Sequence, residues 1–419
     1  MPNLRGNAWK EIRHKRVMTL EQRWQDCPVS TYYTINRILL LCIGLWPYQG
    51  STFKYFAIVS TTITLILSIV LQLMTFTTKE YNIDVLLHIL AYTVPWLAYT
   101  LKYNVLCLNI RQMRGLMERM VDDWNTLNNK QEIEIIKEFS DIGRFITLIT
   151  TLFIYVSIFC FILSQFLSNF LLDITFSKNE SRLRQFPVLI ECFIDQQKHF
   201  FLILSVMGIF VVSGLTTVVA TETLNMSYTH HACGLFEIAS YRIEQALLKD
   251  AVYNTLSFTK RNTIICQGII NGFNMYKNAI EFINMLKRSY TWAYSLLLPL
   301  GVLSLSVNLY RFSRLITSKE YGEIIMSFLF IVGHFWYMFF YNYLGQKVID
   351  YSSDIFHRIY NVQWYLAPLK AQKLLMLVMQ RSMRHCTIVI NGLFIPSFEG
   401  FATLASTSIS YFAAIFSLF

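Results

Sequence analysis

The stretch that decides the fold reads FIPSFEGFATLASTSISYFAAIFSLF, residues 394–419. About 20 residues of α-helix, at roughly 1.5 Å each, cross the hydrocarbon core of a bilayer, which is about 30 Å thick. This run is long enough to do so. It follows a polar, amphipathic stretch, GQKVIDYSSDIFHRIYNVQWYLAPLKAQKLLMLVMQRSMRH, residues 345–385. Together the two stretches predict a helical region outside the membrane followed by a membrane-spanning helix.

Small and hydroxyl-bearing residues recur in the terminal run at steps of three or four. They are Thr403, Thr407, Ser410, Ala414 and Ser417. That spacing places them on one face of an α-helix. Small residues let two membrane helices pack closely, whereas hydroxyls and backbone dipoles also line water-filled pores. The stripe alone leaves both interpretations open.

The composition is that of a polytopic membrane protein. Apolar residues make up 54% of the 419-residue chain and charged residues 15%, whereas charged residues account for about 25% of a soluble domain. Seven apolar runs have the length of a span, so we predict an all-α protein with seven transmembrane helices. The predicted spans are Tyr55–Leu73, Val85–Leu106, Phe145–Leu167, His199–Ala220, Tyr290–Leu309, Ile324–Tyr343 and the terminal run.

Lys and Arg residues are distributed very unevenly between the segments on the two sides of the membrane. The segments on the N-terminal side contain 27 of them and the segments on the other side contain 8. Because cytosolic loops are enriched in Lys and Arg, we predict a cytosolic N-terminus and an extracellular C-terminus. The glycosylation sequon at Asn179 then lies outside the cell. This sorting accounts for the net charge of +10 without a nucleic-acid partner.

These assignments divide the chain into four segments. Residues 1–54 form a cytosolic N-terminus with an interfacial piece near residues 38–45, and they lack the apolar core of a signal peptide. Residues 55–343 contain the first six spans, residues 344–387 form a cytosolic region, and residues 388–419 contain the seventh span. Lys102 lies near one end of the second span, where we expect its side chain to reach the membrane surface.

Patterns for catalysis, cofactor binding or metal binding are absent from the sequence. There is no GxSxG, HExxH or glycine-rich phosphate loop, so we predict neither an enzyme nor a cofactor. The eight cysteines are scattered singly and are predicted to be free thiols. His230, His231 and Cys233 share one helix without a fourth metal ligand, so we interpret them as part of a solvated helix.

Seven spans are also typical of G-protein-coupled receptors, but three features oppose that class. The predicted orientation is inverted relative to theirs. The last span lacks an Asn-Pro pair, and no Asp-Arg-Tyr follows the third span. The sequence also argues against a secondary transporter, because the seven dissimilar spans show no inverted repeat.

The C-terminal region contains a specific order of motifs. It has Gly345, Ser352 or Ser353, Tyr360, Trp364 and Tyr365, then QRSMRH, NGLF and SFEGFATLASTSISYF. This order resembles the insect odorant receptor family, and IGLWP at residues 43–47 is a weaker match. The related gustatory receptors have a Thr-Tyr pair in the last helix, where this chain reads Thr-Ser-Ile-Ser-Tyr-Phe. The chain lacks the extended loop between spans four and five of the family's co-receptor, so it resembles a ligand-tuning subunit.

The resemblance implies a ligand-gated, non-selective cation channel in the plasma membrane of sensory neuron dendrites. Members of the family form heterotetramers with a shared odorant co-receptor, and the last helix of each subunit lines the pore. On this chain the gate would lie at Ala414 and Leu418. The whole pore wall would comprise Thr403, Thr407, Ser410, Ala414, Ser417 and Leu418. Contacts between subunits on the cytosolic side would involve Tyr360, Trp364 and Tyr365.

The resemblance also implies an odorant pocket in the outer halves of spans two, three, four and six. At that depth we expect the lining residues to be His88, Tyr92, Tyr155, Ile158, Phe159, Met207, Ile325 and Phe328. An apolar, aromatic cavity suits small volatile ligands, whose binding comes mainly from buried area. The alternative is a subunit that binds the odorant but does not line the pore.

Overall fold

The structure of the chain is a computed structural model that describes residues 20–78, 82–175, 186, 188, 190–248, 257–318 and 321–418. Regular structure in these residues is helical, apart from an isolated bridge between Ile390 and Phe394. Seven helices are long and apolar enough to cross a membrane, which confirms the predicted fold class. The assignment of the two membrane sides stays a prediction. Spans one to seven are Ser51–Thr78, Ile83–Leu108, Lys130–Thr175, Phe200–Leu248, Phe258–Ser318, Tyr321–Asn361 and Phe398–Leu418.

Spans three to six extend far beyond the apolar runs that predicted them. Span three begins at Lys130 and not at Phe145, and span six ends at Asn361 and not at Tyr343. Span four has 49 residues, and at about 1.5 Å per residue it is more than twice as long as the hydrocarbon core is thick. The extensions therefore form a second bundle outside the membrane. Two further helices pack into this bundle, Ile110–Thr126 and Leu369–Ser382.

Span four lies at the centre of the molecule. Nearly all of its side chains between residues 216 and 240 are buried, and it packs most extensively against spans three and five. His230, His231 and Cys233 lie in this section, so the prediction of a solvated helix there is wrong. His231 Nε2 lies 3.2 Å from Asp123 Oδ2. The described residues contain no group of ligands that could hold a metal ion.

The helix Thr34–Cys42 docks onto this core and does not cross a membrane, because it has only 9 residues. Trp46, just after it, is 2% exposed. The Tyr103 hydroxyl donates a 2.7 Å hydrogen bond to the backbone carbonyl of residue 43. Gly44 has a φ of +74°, and a Cβ atom there would lie 2.9 Å from the Lys54 carbonyl oxygen. The IGLWP turn therefore requires glycine at this position.

The cysteines are free thiols, as the sequence predicted. Cys386 is buried, and its backbone N–H donates a 3.0 Å hydrogen bond to the Ser352 hydroxyl oxygen. Burial raises the pKa of the Cys386 thiol to about 11, so the thiol is protonated and unreactive at neutral pH. Ser352 of span six thus binds the segment that follows the helix Leu369–Ser382.

The start of span seven is held against span six. The Ser397 N–H donates a 3.1 Å hydrogen bond to Asn342 Oδ1, and the next backbone N–H donates one of 3.3 Å to Gln346 Oε1. Gly345 makes this close approach possible, because a Cβ atom there would overlap the backbone of Pro396. The glycine of the C-terminal motif is therefore a contact point between two spans.

Gly345→Ala should destabilise the protein, whereas Gly333→Ala on the same helix should not. The added methyl group at residue 345 meets backbone atoms that move only if the start of span seven shifts, and such overpacking costs about 1–3 kcal/mol. A Cβ atom at Gly333 has nothing within 4 Å. Thermal melting of the detergent-solubilised protein measures the difference. Equal melting temperatures for the two variants would contradict the close contact.

Candidate functional site

Span seven contacts its own chain along one face. Leu404 and Ser408 are 8% and 0% exposed, and the Ser306 hydroxyl donates a 2.9 Å hydrogen bond to the Ser408 carbonyl. In the C-terminal half of the helix, Phe412 and Ile415 pack against residues of spans two and five. These contacts fix the direction in which the rest of the helix points.

The predicted pore residues lie on a different face of span seven from the packed residues. Thr407 is partly exposed, and the remaining ones are exposed, namely Thr403, Ser410, Ala414, Ser417 and Leu418. Their hydroxyls bond to their own helix. The Thr403 hydroxyl, for example, donates a 2.9 Å hydrogen bond to the Glu399 carbonyl. The stripe therefore faces away from the chain's own bundle.

Two of the predicted pocket residues, His88 and Tyr92, meet around Arg311 of span five. His88 Nε2 lies 3.0 Å from Arg311 Nη2, and the Arg311 guanidinium carbon lies 4.8 Å from the centre of the Tyr92 ring. Phe330 of span six meets the Tyr92 ring edge-on, with ring centres 5.3 Å apart. Sequence analysis missed Arg311, which is 6% exposed, because the predicted fifth span stopped short of it.

A second group of predicted residues lies between spans three and four. The hydroxyls of Tyr155 and Thr216 share a 2.7 Å hydrogen bond, and Ile158 and Met207 are buried. Met207 also lines a cleft. The other residues that line this cleft are Phe161, Ile162, Gln165, Val188, Leu204, Gly208 and Val211. With one amide among apolar walls, the cleft suits a ligand with few hydrogen-bonding groups.

Three predicted pocket residues are exposed on the outside of the single chain. Phe159 is 65% exposed, Ile325 60% and Phe328 52%. Successive residues on a helix are about 100° apart, so Ile158 faces inward while its neighbour Phe159 faces outward. Depth in the membrane, which is what the sequence indicates, does not distinguish these directions. Contact of these three side chains with a ligand stays a prediction.

The predicted interface residues differ in their surroundings. Tyr360 and Tyr365 are 64% and 60% exposed, whereas Trp364 packs against the core of the chain. The two tyrosines therefore have faces available to another subunit, and Trp364 holds the short turn between them in place. Asn179, the predicted glycosylation site, lies outside the described residues.

A buried ion pair was missed by the sequence analysis. Lys102 is 2% exposed and its ammonium group bonds to the Glu222 carboxylate, so the prediction that Lys102 reaches the membrane surface is wrong. A charge removed from water needs such a partner. The two residues lie 120 positions apart, on spans two and four. No local pattern around either residue points to the other.

Comparison with known proteins agrees with this architecture. The chain is similar in structure to the insect olfactory receptor OR5 from Machilis hrabei in complex with eugenol, with a TM-score of 0.73 and 14% identity over 93% of this chain and 98% of that one. A second structure of the Machilis hrabei receptor gives a TM-score of 0.66 and 13% identity over 93% and 99% of the two chains. At this identity the likeness shows the fold. No curated protein sequence matches the chain.

A family model gives the assignment that structural likeness alone does not. The model described as 7tm Odorant receptor matches residues 82–409, which is well over half of the chain. The matched region includes spans two to six and most of span seven. The chain therefore belongs to the 7tm odorant receptor family.

Proposed function

We propose that the chain is the odorant-binding subunit of a ligand-gated, non-selective cation channel. It assembles with the family's co-receptor as a heterotetramer in the plasma membrane of sensory dendrites. The observation that carries the proposal is span seven, whose packed face lies against the bundle while its small and hydroxyl-bearing face is presented outward. Hydroxyl-bearing residues on an exposed face suit a water-filled pore better than they suit lipid tails.

The outward face of span seven has the chemistry of a pore wall. Four subunits around one axis bring four such faces together. The hydroxyl oxygens of Thr403, Thr407 and Ser410 then face the ions, since their protons bond to the helix backbone. Ala414 and Leu418 lie nearer the outer end and form the apolar gate. Because Ala414 is small, the co-receptor subunits supply much of the closing contact.

The odorant site combines the two groups of pocket residues in the outer half of the bundle. The walls near Tyr92 and Phe330 are aromatic, and those near Ile158 and Met207 are apolar. Burial of a small volatile molecule against such walls contributes about 25 cal/mol per Å² of apolar area. A pocket of this kind also agrees with the eugenol complex of the related Machilis hrabei receptor.

The odorant site and the gate are linked through span two. Phe412 and Ile415 of span seven pack in one cluster with Leu87 and Ala91, the direct neighbours of His88 and Tyr92 in the sequence. A ligand that fills the pocket better in the open state than in the closed state shifts the population toward the open state. Movement of span two then carries the outer end of span seven with it.

Co-expression with the co-receptor in a heterologous cell should give odorant-evoked cation current, and the chain alone should give none. Whole-cell recording under a panel of volatiles measures this current, and surface labelling confirms that the protein reaches the membrane. Current from the chain alone would contradict the predicted dependence on a co-receptor. The absence of odorant-evoked current in both cases, with the protein present at the cell surface, would contradict the proposal that the chain is part of a channel.

Ala414→Val and Leu418→Ala should change conduction in the co-expressed channel. The larger side chain at residue 414 narrows the gate and should lower basal current, whereas removal of the Leu418 side chain should raise it. Ile409→Ala, which alters an exposed side chain beside the stripe, is the matched control and should leave conduction unchanged. Unaltered basal current, permeability and rectification in both test variants would favour the alternative of a binding subunit that does not line the pore.

Ile158→Ala and Met207→Ala should weaken the odorant response, whereas Val156→Ala should leave it almost unchanged. Each buried methylene is worth about 0.8 kcal/mol, so the loss of about two methylenes of ligand contact should raise the EC50 about tenfold. Val156 lies on the same helix as Ile158 but is 57% exposed, so it controls for effects on expression and packing. Equal shifts for Ile158→Ala and Val156→Ala would place the ligand elsewhere.

A further inference from the structure

The ion pair of Lys102 and Glu222 is the centre of a larger polar cluster. The Glu222 carboxylate, 9% exposed, accepts hydrogen bonds from the Lys102 ammonium of span two and from the Tyr294 hydroxyl of span five, the latter at 3.0 Å. The ring of Tyr337 on span six lies beside this pair, with its centre 5.9 Å from Lys102 Nζ. We call these four residues the Glu222 hub, because they bring together one side chain from each of four spans.

Stability alone does not account for the hub. Removing two ions from water costs several kcal/mol for each, and apolar replacement of a buried pair is often neutral or stabilising. Ionisable groups inside membrane segments are rare and generally mark functional positions. The pocket and pore residues described above do not include either ion. The hub therefore calls for a role other than ligand contact or pore lining.

The hub adjoins the start of span seven. Tyr341, one turn beyond Tyr337 on span six, stacks on Tyr294 with ring centres 4.0 Å apart. The next residue, Asn342, accepts the hydrogen bond from the Ser397 N–H. One turn of span six therefore contacts the hub through its tyrosines and the start of span seven through its asparagine.

We propose that Lys102 and Glu222 are positioning residues for gating, which hold the start of span seven in place while odorant binding moves its outer end. This inference rests on the proposed channel function. Spans two and four carry the two ions as well as Tyr92 and Met207 of the odorant site. A shift of either span therefore reaches the hub, and through Asn342 it reaches the start of span seven. Loosening the hub lets that end move and changes the balance between closed and open channels.

Two variants of the chain distinguish a role of the hub in gating from a role in folding. Lys102→Met combined with Glu222→Gln removes both charges, so neither is left buried and unpaired. Glu222→Asp keeps the charge but shortens the reach of the carboxylate to Lys102 and Tyr294. We expect both variants to reach the cell surface at wild-type levels. The odorant EC50 should shift about fivefold or more, which is within the range of typical coupling between two sites. Current in the absence of odorant should change in the same recordings.

The matched control is Arg114→Gln combined with Glu118→Gln. This pair is 2.9 Å apart, but the side chains are 44% and 34% exposed, so its removal should leave EC50 and basal current unchanged.

The recordings also define what overturns the inference. If both variants of the Glu222 hub have the EC50 and the basal current of the wild-type channel, the charges have no part in gating. If neither variant reaches the cell surface, the hub is required for folding, and this result would also overturn the gating role. A wild-type channel that does not respond to any odorant contradicts the proposed function itself, and this inference then fails with it.

Discussion

The structure depends on the nearly complete burial of the middle section of span four, residues 216–240. This section is rich in hydroxyl groups, and in a dry interior every polar group needs a partner. Several of the hydroxyls find partners on their own helix. Thr221 donates to the Thr217 carbonyl at 2.8 Å, and Ser227 donates to the Thr223 carbonyl at 2.9 Å. Span four can therefore be surrounded on all sides, and the other helices pack around it.

The remaining polar groups of span four determine which neighbours lie where. Asn225 Nδ2 donates a 3.2 Å hydrogen bond to the Tyr294 hydroxyl, His231 Nε2 lies 3.2 Å from Asp123 Oδ2, and the Glu222 carboxylate accepts hydrogen bonds from spans two and five. Apolar packing tolerates changes of shape at constant volume, whereas a hydrogen bond weakens steeply when its angle or length departs from the optimum. The polar residues thus specify the arrangement that the apolar residues stabilise.

Local sequence patterns are sufficient for the spans and for the stripe on span seven, because both involve residues close together in the chain. They fail where a contact joins distant segments or where the direction of a side chain matters. Polar composition usually indicates a wet surface and so predicts solvation of residues 230–233, yet this section is buried. Ile158 and Phe159 lie at about the same depth in the membrane, but the Ile158 side chain faces inward and the Phe159 side chain faces outward. Lys102 and Glu222 are 120 positions apart, so neither residue's surroundings in the sequence could reveal the pair.

Span seven is held differently at its two ends, and this difference bears on where a gate can work. At its start, backbone N–H groups bond to polar side chains of span six, and such directional bonds resist small displacements. In the C-terminal half, the packing of Phe412 and Ile415 is apolar, and apolar burial is non-directional. A small displacement of these two side chains therefore breaks no hydrogen bond of their own. The proposed gate at Ala414 and Leu418 lies on this apolar-packed half of the helix and not on the half that polar groups of span six hold.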